Sequence, residues 1–353
     1  MSNFRLSRGA DRFGPKKLIV VELGSDVTRF VTVARQGAEL RWEKAKVLPP
    51  VDEELMIGKE PLVNFLKGEE HLNVGYVSVL MNTGGGFVRL LSFSGNPGSA
   101  SVVTREVRQT LGVGDEFEVR HQVMRRNQSE GESESEEKSE YAVLAAAVPK
   151  DKSDALRKAV EDAGKTPVSL VPYGAATANL AETSIDLMTN DKAVGFLQIG
   201  RKNSMLVLYV AENLTLARHF KTGFYALLET VMKQYGLDEE TAMKFVSSGS
   251  FEFSSQMSSA AKSWMHQVGI SLDFIERRHG HRVDDLFILG PGDGVKALCT
   301  AFAGAVNRNV EPWEALQNLQ VGEPPAELKD KQEFAACICE AQRIMQEGLT
   351  ANA

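Results

Sequence analysis

Hydrophobic and polar positions along the chain fall into short β-type runs broken by glycine turns, with helical periodicity between them. Residues 18–33, LIVVELGSDVTRFVTV, predict a strand, a tight glycine turn and a second strand, and residues 195–210, GFLQIGRKNSMLVLYV, predict the same. Glu22-Leu23-Gly24 lines up with Gln198-Ile199-Gly200. A third strand follows each hairpin, at 39–48 and 213–222. Two meanders in matching order predict a duplicated fold.

Between the meanders the pattern predicts strands at 73–80 and 86–93. An amphipathic helix over 99–113 has Ser99 in the capping position. FEVRHQVMRR and EYAVLAAAVP read as strands on either side of a charged linker, 150–164 as a helix stopped by Gly164, and 167–182 as a strand running into a helix. The second half adds helices near 224–236, 238–247 and 254–278. Residues 282–302 read as strand, glycine-rich turn and helix, 309–313 as a short strand, and a last helix starts near Lys331.

Composition narrows the function. At 353 residues and 43% hydrophobic content the chain can fill two domains with substantial cores. A net charge of -7 argues against a general nucleic-acid binder. Three cysteines, Cys299, Cys337 and Cys339, form no disulfide framework and point to a reducing compartment. Cys337 and Cys339 lie in a run that reads as a buried helix, without the second pair a zinc site needs. The basic N-terminal stretch has no apolar core of a signal peptide, and no apolar run approaches the ~18–20 residues of a membrane span. Residues 127–141 carry six glutamates and one lysine with almost nothing apolar, and read as a loop that cannot pack.

The candidate chemistry sits in three glycine turns. Glycine lets backbone N–H groups approach phosphate oxygens, and a helix beginning after Gly294 adds a positive dipole end. His279-Gly280-His281 lacks a third metal ligand and reads as a surface turn. Walker, nucleophile-elbow and HExxH motifs are absent from the sequence.

The order of these pieces resembles the actin-like ATPase superfamily, and within it the PilM-type type IV pilus assembly proteins, relatives of the division protein FtsA. VVELGSDVTRFVTV resembles the first phosphate hairpin and VSLVPYGAATANLAE the connecting strand and helix. GFLQIGRKNSMLVLYV with LTLARHFKTG resembles the second hairpin and its next strand. GLDEETAMKF resembles the helix near the nucleotide, LFILGPGDGVKAL the adenosine turn, NVEPW the short strand after it, and FAACICEAQRIM the closing helix. The resemblance implies an α/β, duplicated actin-like (ribonuclease H-like) fold, with two lobes around a nucleotide-type cleft and an inserted α+β subdomain.

Its domain reading is a tail at 1–15, the first part of the first lobe at 16–90, and an inserted subdomain at 91–165 with an acidic loop at 127–140. A connecting strand and helix follow at 166–190, then a second lobe at 191–345, including a helical subdomain at about 224–280, and a tail at 346–353. Nucleotide-binding positions carried over are Gly24, Ser25, Asp26, Arg29, Gly200, Arg201, Lys202, Asn203, Gly223, Glu240, Lys244, Gly290, Gly292 and Asp293. ATP with magnesium is the candidate cofactor.

Departures from the family pattern change the chemical expectation. Glu22 and Gln198 stand where the superfamily has aspartates; Glu22 keeps a carboxylate for magnesium, and Gln198 cannot bind it as an anion. Gln198 cannot act as a general base. Arg29 replaces the expected lysine, Pro291 a glycine, and a single Gly223 a glycine pair. No catalytic residue is assigned, and hydrolysis is expected to be weak or lost. The implied function is a cytoplasmic scaffold of a pilus or related envelope machine. It would bind the cytoplasmic peptide of a single-span inner-membrane partner and so sit peripheral to that membrane, with a homodimer allowed and no nucleic acid. Its groove would lie beside the inserted subdomain, with the strands around Val88–Phe93 and Ala142–Ala147 as candidates against a plain reading as core strands. The alternatives are an active ATPase or small-molecule kinase of the same fold and an FtsA-like filament protein. The closing segment QRIMQEGLTANA supplies no basic amphipathic membrane helix for the latter.

Overall fold

The computed structural model describes residues 15–24, 27–37, 39–48, 60–68, 73–81, 86–124, 140–188, 192–247, 259–290, 294–325, 328 and 331–350. The acidic segment over 127–139, the basic tail before residue 15, and Ser25, Asp26, Pro291, Gly292 and Asp293 lie outside them. The chain divides into two compact units. One comprises Met1–Ala176, Gln320–Ala326 and Cys337–Ala353, the other Thr177–Leu319 and Glu327–Ala336.

In the first unit, β1 (Lys17–Leu23), β2 (Thr28–Gln36) and β3 (Glu39–Leu48) form an antiparallel meander, as their runs of β-forming residues predict. β4 (Tyr76–Met81) and β8 (Thr166–Pro172) join parallel to β1, giving the order β3-β2-β1-β4-β8. β1, β4 and β8 are buried on both faces. One face presents Ile19, Val21, Val77, Val79 and Leu170 to α1 (Glu60–Leu66) and α3 (Lys150–Asp162) through Leu62, Leu66, Leu156 and Val160. The alternate positions Glu22, Ser78 and Ser169 bond to α9 (Ala335–Thr350) instead.

A buried polar cluster fixes α9. One oxygen of Glu340 accepts from Ser169 Oγ at 2.6 Å, Ser78 Oγ at 3.2 Å and Arg343 Nη2 at 2.8 Å, while the other accepts from Arg343 Nε at 2.9 Å. Ser78, Ser169 and Glu340 are buried and the Arg343 side chain is 8% exposed, so the cluster satisfies groups that would otherwise be costly to desolvate.

A smaller antiparallel sheet in the same unit has the order β5-β7-β6, with β5 at Phe87–Ser94, β6 at Phe117–Met124 and β7 at Glu140–Pro149. Val103 and Val107 of α2 (Ala100–Leu111) pack on Val119, Tyr141, Val143, Ala145 and Ala147. The central strand is buried from Val143 to Val148, so these residues are core. Ser99 has the extended backbone of a helix cap, but its hydroxyl lies 3.0 Å from Ser101 Oγ and makes no capping bond. The expected Ser cap is therefore positional only. Gly112 closes α2 in the left-handed region, and its N–H returns to the helix.

The second unit repeats the sheet. β9 (Ala193–Ile199), β10 (Ser204–Val210) and β11 (Asn213–Phe220) form the meander. β12 (Val283–Leu289) and β13 (Asn309–Pro312) extend it in parallel, giving β11-β10-β9-β12-β13. The two orders match, which is the duplication the sequence predicts. One face carries Leu197, Leu206, Leu208 and Ile288 into a helical core with α5 (Tyr225–Tyr235), α6 (Glu239–Ser247), α7 (Ser259–His279) and α8 (Val295–Val306). Trp264 meets Phe302 edge-on with ring centroids 5.0 Å apart, and its indole N–H donates to Ser204 Oγ at 3.0 Å. On the other face Phe196 packs against Trp313 at 4.7 Å, and Tyr209 donates to the Ala178 carbonyl at 3.2 Å. Ala178 belongs to α4 (Tyr173–Glu182).

Candidate functional site: two glycine hairpins

The first hairpin is the β1–β2 turn. Its register sets Glu22 opposite Arg29 and Leu23 opposite Thr28. Gly24 N–H donates to Val27 O at 3.1 Å. That amide closes the turn. Glu22 is 2% exposed. One carboxylate oxygen accepts from Arg29 Nη1 at 3.4 Å, and the other from the Cys337 thiol at 3.8 Å. Burial, followed by the Glu22 charge, pushes the Cys337 thiol well above its ordinary pKa. The thiol is therefore protonated and acts as a donor.

The second hairpin, between β9 and β10, closes through Gly200 N–H to Asn203 O at 2.9 Å, so this glycine's amide is also engaged. Gln198 is buried, and its side-chain carbonyl accepts from Thr177 Oγ1 at 2.7 Å. Arg201 bonds to Glu239, and its guanidinium lies 5.2 Å from the Tyr225 ring centroid. Asn203 is buried and Lys202 is exposed.

Gly223 explains how α5 reaches this turn. A Cβ there would lie 2.7 Å from both Arg201 O and Asn203 O, and closer still to Gly200 O. Without it, Phe224 N–H donates to Gly200 O at 2.9 Å and Tyr225 N–H to Arg201 O at 2.8 Å. The amides at the start of α5 are thus spent on the hairpin's carbonyls.

At the third turn, Gly290 ends β12. A Cβ there would meet Leu298 at 3.0 Å and Val295 at 3.3 Å, so glycine lets α8 pack down. Glu240 and Lys244 bond to each other at 2.6 Å on the exposed face of α6. That bond raises the lysine's pKa. Gly280, at φ 71°, ends α7 beside His279 and His281. Among the described residues no group of three or more His, Cys, Asp or Glu could hold a metal.

Within its own unit each hairpin gathers part of the expected set: Glu22, Gly24 and Arg29 in the first; Gly200, Arg201, Asn203 and Gly223 in the second. Sequence reading missed Thr177, Cys337, Glu239 and Tyr225. Each reaches its partner through the fold, and no local pattern marks it.

These donors do not fit a magnesium centre. Both oxygens of Glu22 are engaged and its charge is matched by Arg29. Gln198 is a neutral amide whose oxygen is already bonded. A hard divalent cation seeks anionic oxygens; Gln198 has none, and the one carboxylate of Glu22 is buried and already charge-matched.

Two meander-plus-parallel sheets in the same order, each with a glycine hairpin between its first strands, define an actin-like ATPase fold. A Bacteroides thetaiotaomicron protein described as having that fold and unknown function superposes with a TM-score of 0.51 at 10% identity, covering 88% of this chain and 99% of that one. More similar is a chain of the PilM-PilN type IV pilus biogenesis complex. It gives a TM-score of 0.72 at 18% identity over 93% of this chain and 98% of that one. No family model and no curated protein matches this sequence.

Proposed function

We propose that this protein is a cytoplasmic actin-like scaffold of a type IV pilus or related envelope assembly machine. It binds the cytoplasmic peptide of an inner-membrane partner, and hydrolysis is weak or lost. The observation that carries this reading is the likeness to a chain of the PilM-PilN complex over nearly the full length of both chains. The motif order in the sequence supports it independently. Among the described residues no helix is long and apolar enough to cross a membrane, which suits attachment through a partner. The peptide lies beside the inserted subdomain at 91–165, held by extended-peptide recognition.

The loss of hydrolysis is argued from chemistry. Phosphoryl transfer needs an oriented water and charge neutralisation of the moving phosphoryl group. Gln198 supplies neither a base nor an anionic metal ligand, and its oxygen accepts from Thr177. Affinity capture of the tagged full chain from detergent-solubilised membranes tests the scaffold reading. A single-span protein with a short cytoplasmic segment is expected in the eluate, and its absence refutes the reading. Phosphate release from Mg-ATP tests the second part, where turnover near ~1 per second would refute it.

A further inference from the structure

The position that would hold a metal in this fold has been given other work. We infer that Glu22 is the anchor of the C-terminal helix α9, its charge matched internally by Arg29, and that its carboxylate takes no divalent cation. The inference concerns the first unit alone and stands or falls separately from the partner-binding proposal.

Three observations carry it. First, β1–β2 register sets Glu22 and Arg29 directly across from each other, so the ion pair is built into strand pairing and does not depend on a mobile loop. Second, the remaining Glu22 oxygen accepts from Cys337, a thiol with no exposed surface on α9. A metal would have to share this engaged, charge-matched carboxylate at a residue that is 2% exposed. Third, Cys337 is one of a set. Cys337, Glu340, Ala341 and Ile344 recur at helical spacing and are all buried. Glu340 makes the second polar attachment, to Ser78 on β4 and Ser169 on β8. The helix is thus pinned across β1, β4 and β8 by two carboxylates of opposite provenance: Glu22 reaches up from the sheet, and Glu340 reaches down from the helix. A buried carboxylate with matched charge and engaged oxygens gains nothing from magnesium.

Two measurements on the full-length chain test this. The first is site-resolved alkylation of cysteines by iodoacetamide, read by mass spectrometry. In Glu22→Ala, Cys337 should become alkylated at least ~10-fold faster, because local opening of α9 exposes it, while Cys299 in the other unit keeps its wild-type rate. An unchanged Cys337 rate overturns the inference. So does an equal rise at Cys299, which would mean general loss of structure. The second measurement needs no variant. Adding about 5 mM magnesium chloride to the wild-type chain should leave its thermal midpoint within about 0.5 °C, since a ligand stabilises only what it binds. A saturable rise of about 2 °C or more that Glu22→Gln abolishes would overturn the inference.

Discussion

Replacing Gly223 with alanine tests how the second hairpin is built. The added methyl would sit 2.7 Å from the carbonyl oxygens of Arg201 and Asn203 and still closer to that of Gly200. All three are backbone atoms, so no side chain can swing aside to relieve the contact. The start of α5 must then lift off the turn, which breaks Phe224 N–H to Gly200 O and Tyr225 N–H to Arg201 O. Two such bonds contribute about 1 kcal/mol each. Forcing a methyl into filled space adds about 1–3 kcal/mol. The expected loss is therefore about 3–5 kcal/mol, at about 2–4 °C of Tm per kcal/mol.

Gly304 is the matched control. It is an exposed glycine inside α8, and a methyl added there would meet nothing within 4 Å. Alanine there should stabilise by about 0.5–1 kcal/mol through helix propensity. Urea unfolding of both variants, with amide exchange read across β10, measures the pair. A loss below about 1 kcal/mol for Gly223→Ala would refute the reasoning, because the turn could then accept a side chain and the close approach would not be required.

Three further outcomes follow. Thr177→Val should cost about 1–3 kcal/mol, because it removes the donor to the buried Gln198 oxygen, and denaturant titration reads it. Arg343→Met should cost about 3–5 kcal/mol, because it leaves the Glu340 carboxylate buried without its cation, and the same titration measures it. Burial holds the His121 imidazole below its ordinary pKa, so the unfolded chain takes up that proton first. The stability tied to His121 is complete above the unfolded value of about 6.5 and is lost as pH falls from there through the depressed folded value. Unfolding curves at successive pH values should show that loss in the wild type and not in His121→Gln.

The hairpins were legible because two signals coincide at each: runs of β-forming apolar residues and a glycine between strands. The matching strand order then made duplication readable. What each side chain does was not legible. Arg201 reads as a nucleotide-binding position, and its bond to Glu239 and stacking on Tyr225 depend on the folding of α5 and α6. That the Gly24 and Gly200 amides close their own turns was not legible either. Ser99 stands at a helix start with the right backbone and still bonds elsewhere, because Ser101 competes for its hydroxyl. Cys337 and Glu22 lie 315 residues apart, and no local pattern encodes such a meeting.

The placement of α9 orders the events of biosynthesis. The first unit's strands leave the ribosome early, yet the helix that satisfies Ser78 and Ser169 is encoded after the whole second unit. During translation the nascent sheet must wait with one face unfinished while the other unit is made, given that domains tend to fold as they emerge. A premature stop just before Cys337 would thus injure the half of the protein farthest from it in sequence.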